Sequence, residues 1–481
     1  MSSFKKEFAS GLVYTSLAKY SSILIQLLIT AILARMLKPS DFGVVALATV
    51  FIHFFNTLTE AGLGPAIIQK KVLSGKDYDT LFFLTAAMGV GFGLLFVLAS
   101  PYIGQYYQSA VLKDVCLWLS LLILFSSLDI VPNNLLLKQK KFNVIAYRTV
   151  VVHIICGCAS IYAAYIGWGV YALLLSAILS KVLIFCVNYY KNPLKFAFDF
   201  TCLNGIKSYS FYQFLFNLVR YLSRNLDKMI VGKMMGMNLL GYYEKSYRLM
   251  MLPLQNITFV VTPVLQPLFS ELQSDLRDLG RKYLKLLQCL AYISFPITAL
   301  VFFNARELIF IAFGSQWEPA VEPFRILALT IEIQVLQSSA GAIFQSANYT
   351  KGLFFCGVLS LIIFVFGLFV ACFQFGSISA VAVSFVVSTY LGDVIVFNVL
   401  FRRLGVKMID FFSILEKPFI LMVVLFVTMG LFCYFVSIDS ILMSLIVKSL
   451  IMSVLTLWML HGWKVVSVNA MMDMLKRRRG K

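Results

Sequence analysis

The chain has 481 residues, of which 60% are hydrophobic and 13% charged, with a formal net charge of +19. A soluble domain carries about 25% charged residues, so this one has too little polar matter to coat a surface facing water. Those numbers exclude a cytosolic enzyme, a nucleic-acid module and a disordered chain, and they indicate a polytopic membrane protein.

Lys5 and Lys6 precede the first apolar stretch, which carries Lys19 and lacks a small-residue cleavage site, so it reads as a retained span. Runs near the roughly 20 residues needed to cross a bilayer follow along the chain. They predict about fourteen helices: 12–34, 42–64, 81–100, 112–132, 145–165, 169–190, 208–232, 242–262, 284–303, 322–346, 352–372, 378–400, 418–436 and 440–461. The fold class is therefore all-α integral membrane protein. With the N-terminus in the cytoplasm, 27 basic residues fall on inside segments and eight on outside ones. Lys and Arg collect on cytoplasmic loops, so both termini are expected inside, and the net charge reads as topology rather than as a nucleic-acid footprint.

Arg35 to Gly43 lies between the first two spans, and Lys233 to Gly241 between the seventh and eighth; one shift superposes Arg35 on Lys233, Gly43 on Gly241 and Pro65 on Pro263. Recurrence of Gly and Pro at helix ends would give part of this pattern. An even number of spans between the copies makes a parallel repeat, with a substrate path between two six-helix lobes. The expected organisation is an N-terminal lobe over 1–200, a second lobe over 201–405, and two added helices with a basic tail over 406–481.

The seventh span is the most informative. Arg220, Arg224 and Lys228 recur every four residues and Asn217 precedes them by three, so the four share one helical face. A cation at the bilayer centre costs about 2.5–3.5 kcal/mol, so such a stripe must face a wet or protein-lined interior. The competing arrangement puts the stripe on an interfacial helix before a span beginning near Met229. Lys19 falls on Asn217 under the repeat shift. Lys181 and Lys448 are the other embedded cations, each either snorkelling to an interface or facing the interior. The cationic interior suits an anionic substrate such as a diphosphate. Among embedded acids, Glu332 near mid-span is the candidate for a coupling ion or proton, or else for a structural ion pair, and Asp227 is placed to pair with Arg224. Glu60, Asp129 and Asp393 lie toward helix ends, where solvated or capping roles are expected.

No catalytic motif is present: no HExxH, GxSxG or Walker lysine loop. The nine Cys lie mostly in apolar runs, and the three His are scattered, so no disulfide framework or metal is expected. No loop exceeds about 25 residues, whereas a glycan polymerase or ligase would expose a substantial loop domain.

Ala34 to Gly43 followed by Glu60-Ala-Gly-Leu-Gly64 resembles the opening signature of bacterial polysaccharide-repeat flippases, the Wzx-type exporters. The stretches from Pro132 to Phe142 and from Gly241 to Gln255 are similar to later motifs of the colanic-acid and teichuronic-acid exporter group. The resemblance implies the multidrug/oligosaccharidyl-lipid/polysaccharide exporter fold and alternating access. It implies a substrate of undecaprenyl-diphosphate-linked oligosaccharide repeat units, moved across the bacterial cytoplasmic membrane. No cofactor is expected beyond a proton or sodium gradient, and the partners are membrane lipids and glycan polymerase or assembly machinery, with no nucleic acid. The alternatives are a cation-coupled multidrug antiporter, which would want an acidic cavity, and a scaffold or enzyme of glycan assembly, which would want a catalytic loop or metal cluster.

Overall fold

The computed structural model describes residues 2–60, 67, 74–197, 221, 225–270, 273, 275–463 and 465. They are helical almost throughout. In chain order the helices are α1 (Ser2–Met36), α2 (Pro39–Glu60), α3 (Gly75–Tyr106), α4 (Ala110–Lys138), α5 (Phe142–Tyr165) and α6 (Val170–Lys191). A helix over 225–234, here α7, precedes α8 (Gly236–Ser270). Then come α9 (Leu276–Phe303), α10 (Ala305–Phe313), α11 (Val321–Ala328), α12 (Ile331–Gln337), α13 (Ala340–Ser346), α14 (Thr350–Val370), α15 (Ile378–Leu404), α16 (Met408–Phe435) and α17 (Ile441–Gly462).

Eleven helices among the described residues are long and apolar enough to cross a membrane. A twelfth is formed by Ser315–Ala328 and Ile331–Ser346, bent by 49° at the break between them. The expected span at 322–346 is thus a broken helix rather than a continuous one. Its break is held by side chains: Thr330 Oγ1 donates to the Leu327 carbonyl at 2.7 Å, and Gln334 Nε2 donates to Thr330 Oγ1 at 2.6 Å. Most of the expected seventh span, 208–232, lies outside the described residues. The expected eighth lies within α8, which is not among those eleven.

Chain entry is fixed locally. Ser74 caps α3 with a reciprocal Asp77 bond, Ser109 caps α4, and Ser377 caps α15. Asp275 accepts from the Arg277 and Asp278 amides, both at 3.0 Å. Those amide bonds, with Arg281 and Arg277 nearby, hold its carboxyl below the usual range.

The chain forms two compact units, Met1–Glu244 and Lys245–Lys481. In the first, α3 lies along α4, α1 on α5, and α6 against both α4 and α5. Small residues permit the close crossings, as expected where lipid supplies no hydrophobic drive between helices. A Cβ on Gly89 would lie 2.6 Å from Ser127 Cβ, so α3 and α4 meet there nearly backbone to backbone. In the second unit, α14 lies along α15, and Ala299, Leu421, Leu425, Met429, Met452 and Leu460 tie α9, α16 and α17 into one core. Large apolar side chains point outward, among them Phe366 and Trp458, each 72% exposed, as a lipid-facing surface requires.

Candidate functional site

Three basic side chains of the first unit, on three helices, lie within electrostatic reach of one another through His53. α2 begins at Pro39, whose fixed φ suits a first helical turn, and the Lys38 amide donates to Asp41 Oδ2 at 3.1 Å. Four turns on, α2 presents His53, which stands within electrostatic reach of Lys181 on α6 and Lys228 on α7. Lys181 is also within reach of Asp129 on α4. Two of the sequence-predicted cations therefore share a neighbourhood, joined by a histidine that no sequence pattern marks. Lys19 is on α1 and half-buried. Asn217, Arg220 and Arg224 lie outside the described residues.

Tyr221, ahead of α7, is tied to α2. The Tyr221 hydroxyl donates to the Val50 carbonyl, and its ring lies 6.1 Å from that of Phe54. Asn225 Nδ2 donates to the Tyr221 carbonyl at 3.0 Å. Lys228 Nζ forms an ion pair with Glu244 Oε2 at 2.9 Å, both side chains being mostly buried. Asp227 is buried, accepting from the Tyr243 hydroxyl at 3.0 Å and from the Lys228 amide at 2.8 Å.

A second polar cluster of this unit joins α4, α5 and α6. Asn188 Nδ2 donates to Asp129 Oδ1 at 2.5 Å, while Arg148 donates to Asn188 and, at 3.3 Å, to Asn133. Asp129 is therefore a buried anchor and not the solvated helix-end acid expected from its position.

In the second unit, Glu332 is 4% exposed in the first turn of α12, directly after the break in the broken span. Thr298 on α9 donates to its Oε2 at 2.5 Å, and Tyr390 on α15 donates to its Oε1. No Lys or Arg among the described residues stands within ion-pairing distance of it, so the structural pair with a cation is not what holds this acid. One turn beyond Tyr390, Asp393 is 1% exposed and its Oδ2 has no hydrogen-bond partner. It too departs from the solvated role expected. Lys448 does not snorkel: its Nζ lies 2.6 Å from Glu307 Oε1 and 3.3 Å from the Phe303 carbonyl.

With this geometry the family can be assigned, because the sequence profile for polysaccharide biosynthesis proteins matches residues 32–322. The chain belongs to that family. This family member is 25% identical over 445 residues to the teichuronic acid biosynthesis protein TuaB of Bacillus subtilis (strain 168), covering 92% of this chain and 91% of that protein. It is 22% identical over 353 residues to the lipopolysaccharide biosynthesis protein WzxC of Escherichia coli (strain K12), covering 72% and 71%. Among solved structures, the lipid II flippase MurJ in an inward closed conformation superposes with a TM-score of 0.71 at 13% identity. The match covers 93% of this chain and 98% of that one, a likeness of fold. The family member is thus an all-α, multi-pass membrane protein.

Proposed function

We propose that this chain is a flippase that carries diphosphate-linked, lipid-anchored oligosaccharide repeat units across the bacterial cytoplasmic membrane by alternating access, with both termini in the cytoplasm. The observation that carries the reading is that Lys181 and Lys228, on two different helices, both stand within electrostatic reach of His53 on a third helix of the same unit. Cations within a bilayer are costly, and an anionic head group is the ligand that repays them. Lys228 rests on Glu244, a partner that a diphosphate with more charge and more acceptor oxygens displaces. Arg220, Arg224 and Asn217, which the sequence spaces at helical intervals from Lys228, with Lys19, complete the proposed anion site. The polysaccharide biosynthesis roles in the relatives' names and the lipid flippase fold support the same substrate class.

In this reading the repeats are lobes over 1–200 and 201–405 with 406–481 added, and the products pass to glycan polymerase or assembly machinery. Deleting the gene and analysing membrane lipids tests it. Lipid-linked repeat units should accumulate while surface glycan falls; unchanged lipid intermediates would contradict the assignment.

Coupling is assigned to a proton or sodium ion taken up at Glu332, with Asp227 as the second candidate. A carboxylate beside a helix break, held by hydroxyls with no cation nearby among the described residues, is the arrangement in which a small cation completes the site. Glu332→Gln should leave the protein folded, because the amide oxygen still accepts from Thr298 while its NH2 donates to the Tyr390 hydroxyl, which has the Leu329 carbonyl as its own acceptor. It should remove the dependence of export on the ion gradient, read as glycan translocation into vesicles with and without an imposed gradient.

A further inference from the structure

The two copies of the repeat motif touch each other. α2 and α8 start at equivalent places in the two repeats, and they meet through the two glycines that the repeat pairs, all within the first unit. A Cβ on Gly43 would stand 1.8 Å from the Met237 carbonyl oxygen, and a Cβ on Gly241 would stand 2.0 Å from the Pro39 carbonyl oxygen. Positions 39 and 237 are themselves equivalent under the repeat shift, so the contact is reciprocal. Each glycine lies on the other helix's first-turn carbonyl, an approach that no side chain allows.

Two further contacts close the same end. Lys233 donates to the Tyr106 carbonyl at the end of α3 and lies 4.3 Å from the Tyr106 ring centre. The Tyr107 hydroxyl donates to the Met229 carbonyl at 3.3 Å. α2 starts and α3 ends on one side of the bilayer, so all of these bonds lie on one membrane face.

We propose that this reciprocal glycine crossing, with the Lys233–Tyr106 clasp, is the gate on the outer face: closed here, and parted each time substrate leaves. The contact is dense and short, so it has two discrete arrangements, joined or parted, rather than a continuous range. Nothing covalent holds it, and the Lys233–Tyr106 bond ends on exposed groups that water can satisfy once the helices separate. The inference rests on the transport reading above and adds to it which residues move.

The test tethers the clasp. In a chain whose nine native cysteines are replaced by alanine, Tyr106→Cys and Lys233→Cys are joined in membranes by a short, reducible bifunctional thiol reagent. Cross-linking should proceed to high yield, stop glycan export, and release export again on reduction. Export that continues with the tether complete would make the crossing a static contact and overturn the gate, as would failure of the thiols to link. A second measurement uses the otherwise native chain with Gly43→Ala, whose Cβ must push α8 away. A thiol introduced by Lys233→Cys should then react faster with a charged maleimide than it does with Gly43 intact, and an equal rate would also overturn the gate. A chain that exports normally yet ignores the tether sinks the gate alone; a native chain that moves no lipid-linked glycan sinks the transport reading beneath it.

Discussion

Lys181→Gln combined with Lys228→Gln is expected to cut export of lipid-linked glycan on the order of a hundredfold or more, with the protein still present in the membrane. A hydrogen bond to a charged group contributes about 1.5–3 kcal/mol, so two lost contacts to a diphosphate remove about 3–6 kcal/mol of binding to the translocating substrate. The two lysines stand within electrostatic reach of one histidine, and in the proposed reading they act on one ligand. Lys228→Gln also leaves Glu244 without its ion pair. The informative comparison therefore includes Glu244→Gln, which removes that unpaired charge without restoring the cation. Export should stay low in the triple substitution, whereas Lys228→Arg should retain most of it. Surface glycan measured against protein abundance decides between loss of substrate binding and loss of fold.

Lys448→Met is expected to destabilise the second unit by about 3–5 kcal/mol, the cost of leaving a buried charge without its partner. Glu307 is 7% exposed, and besides Lys448 it is held by the Ser444 hydroxyl at 2.6 Å. The pair fastens the short helix α10 to α17. Replacing both charges, Lys448→Met with Glu307→Leu, should recover most of the loss, because similar-sized apolar groups fill a buried ion-pair site at little cost. Thermal unfolding in detergent checks both steps. A single substitution as stable as the native chain would mean that the pair is solvated.

Much of the fold was legible because crossing a bilayer imposes length and apolarity on each segment separately. Twelve of the expected spans correspond to the eleven apolar helices and the broken pair. The structure gives the glycines that the expected repeat pairs a physical reason: each makes room for the other helix. What sequence reading missed depends on residues far apart in the chain. His53 is a lone histidine on an apolar helix until α6 and α7 bring lysines to it. Glu307 lies outside every expected span, so its pairing with Lys448 on α17 has no periodic signal. Asp129 and Asp393 sit near helix ends, where hydropathy suggests water, yet Asn188 reaches Asp129 from α6, and packing buries Asp393. The break at 329–330 carries neither Gly nor Pro, and the Thr330 and Gln334 side chains hydrogen-bond at it.

The most direct measurement reconstitutes the purified chain into vesicles holding a diphosphate-linked, lipid-anchored oligosaccharide and follows the sugar's accessibility to an impermeant glycosidase or lectin over time. The account predicts that the native chain moves the head group between leaflets and that the Lys181→Gln, Lys228→Gln chain, reconstituted to the same level, does not. Equal translocation by both would contradict a basic binding site built on α2, α6 and α7.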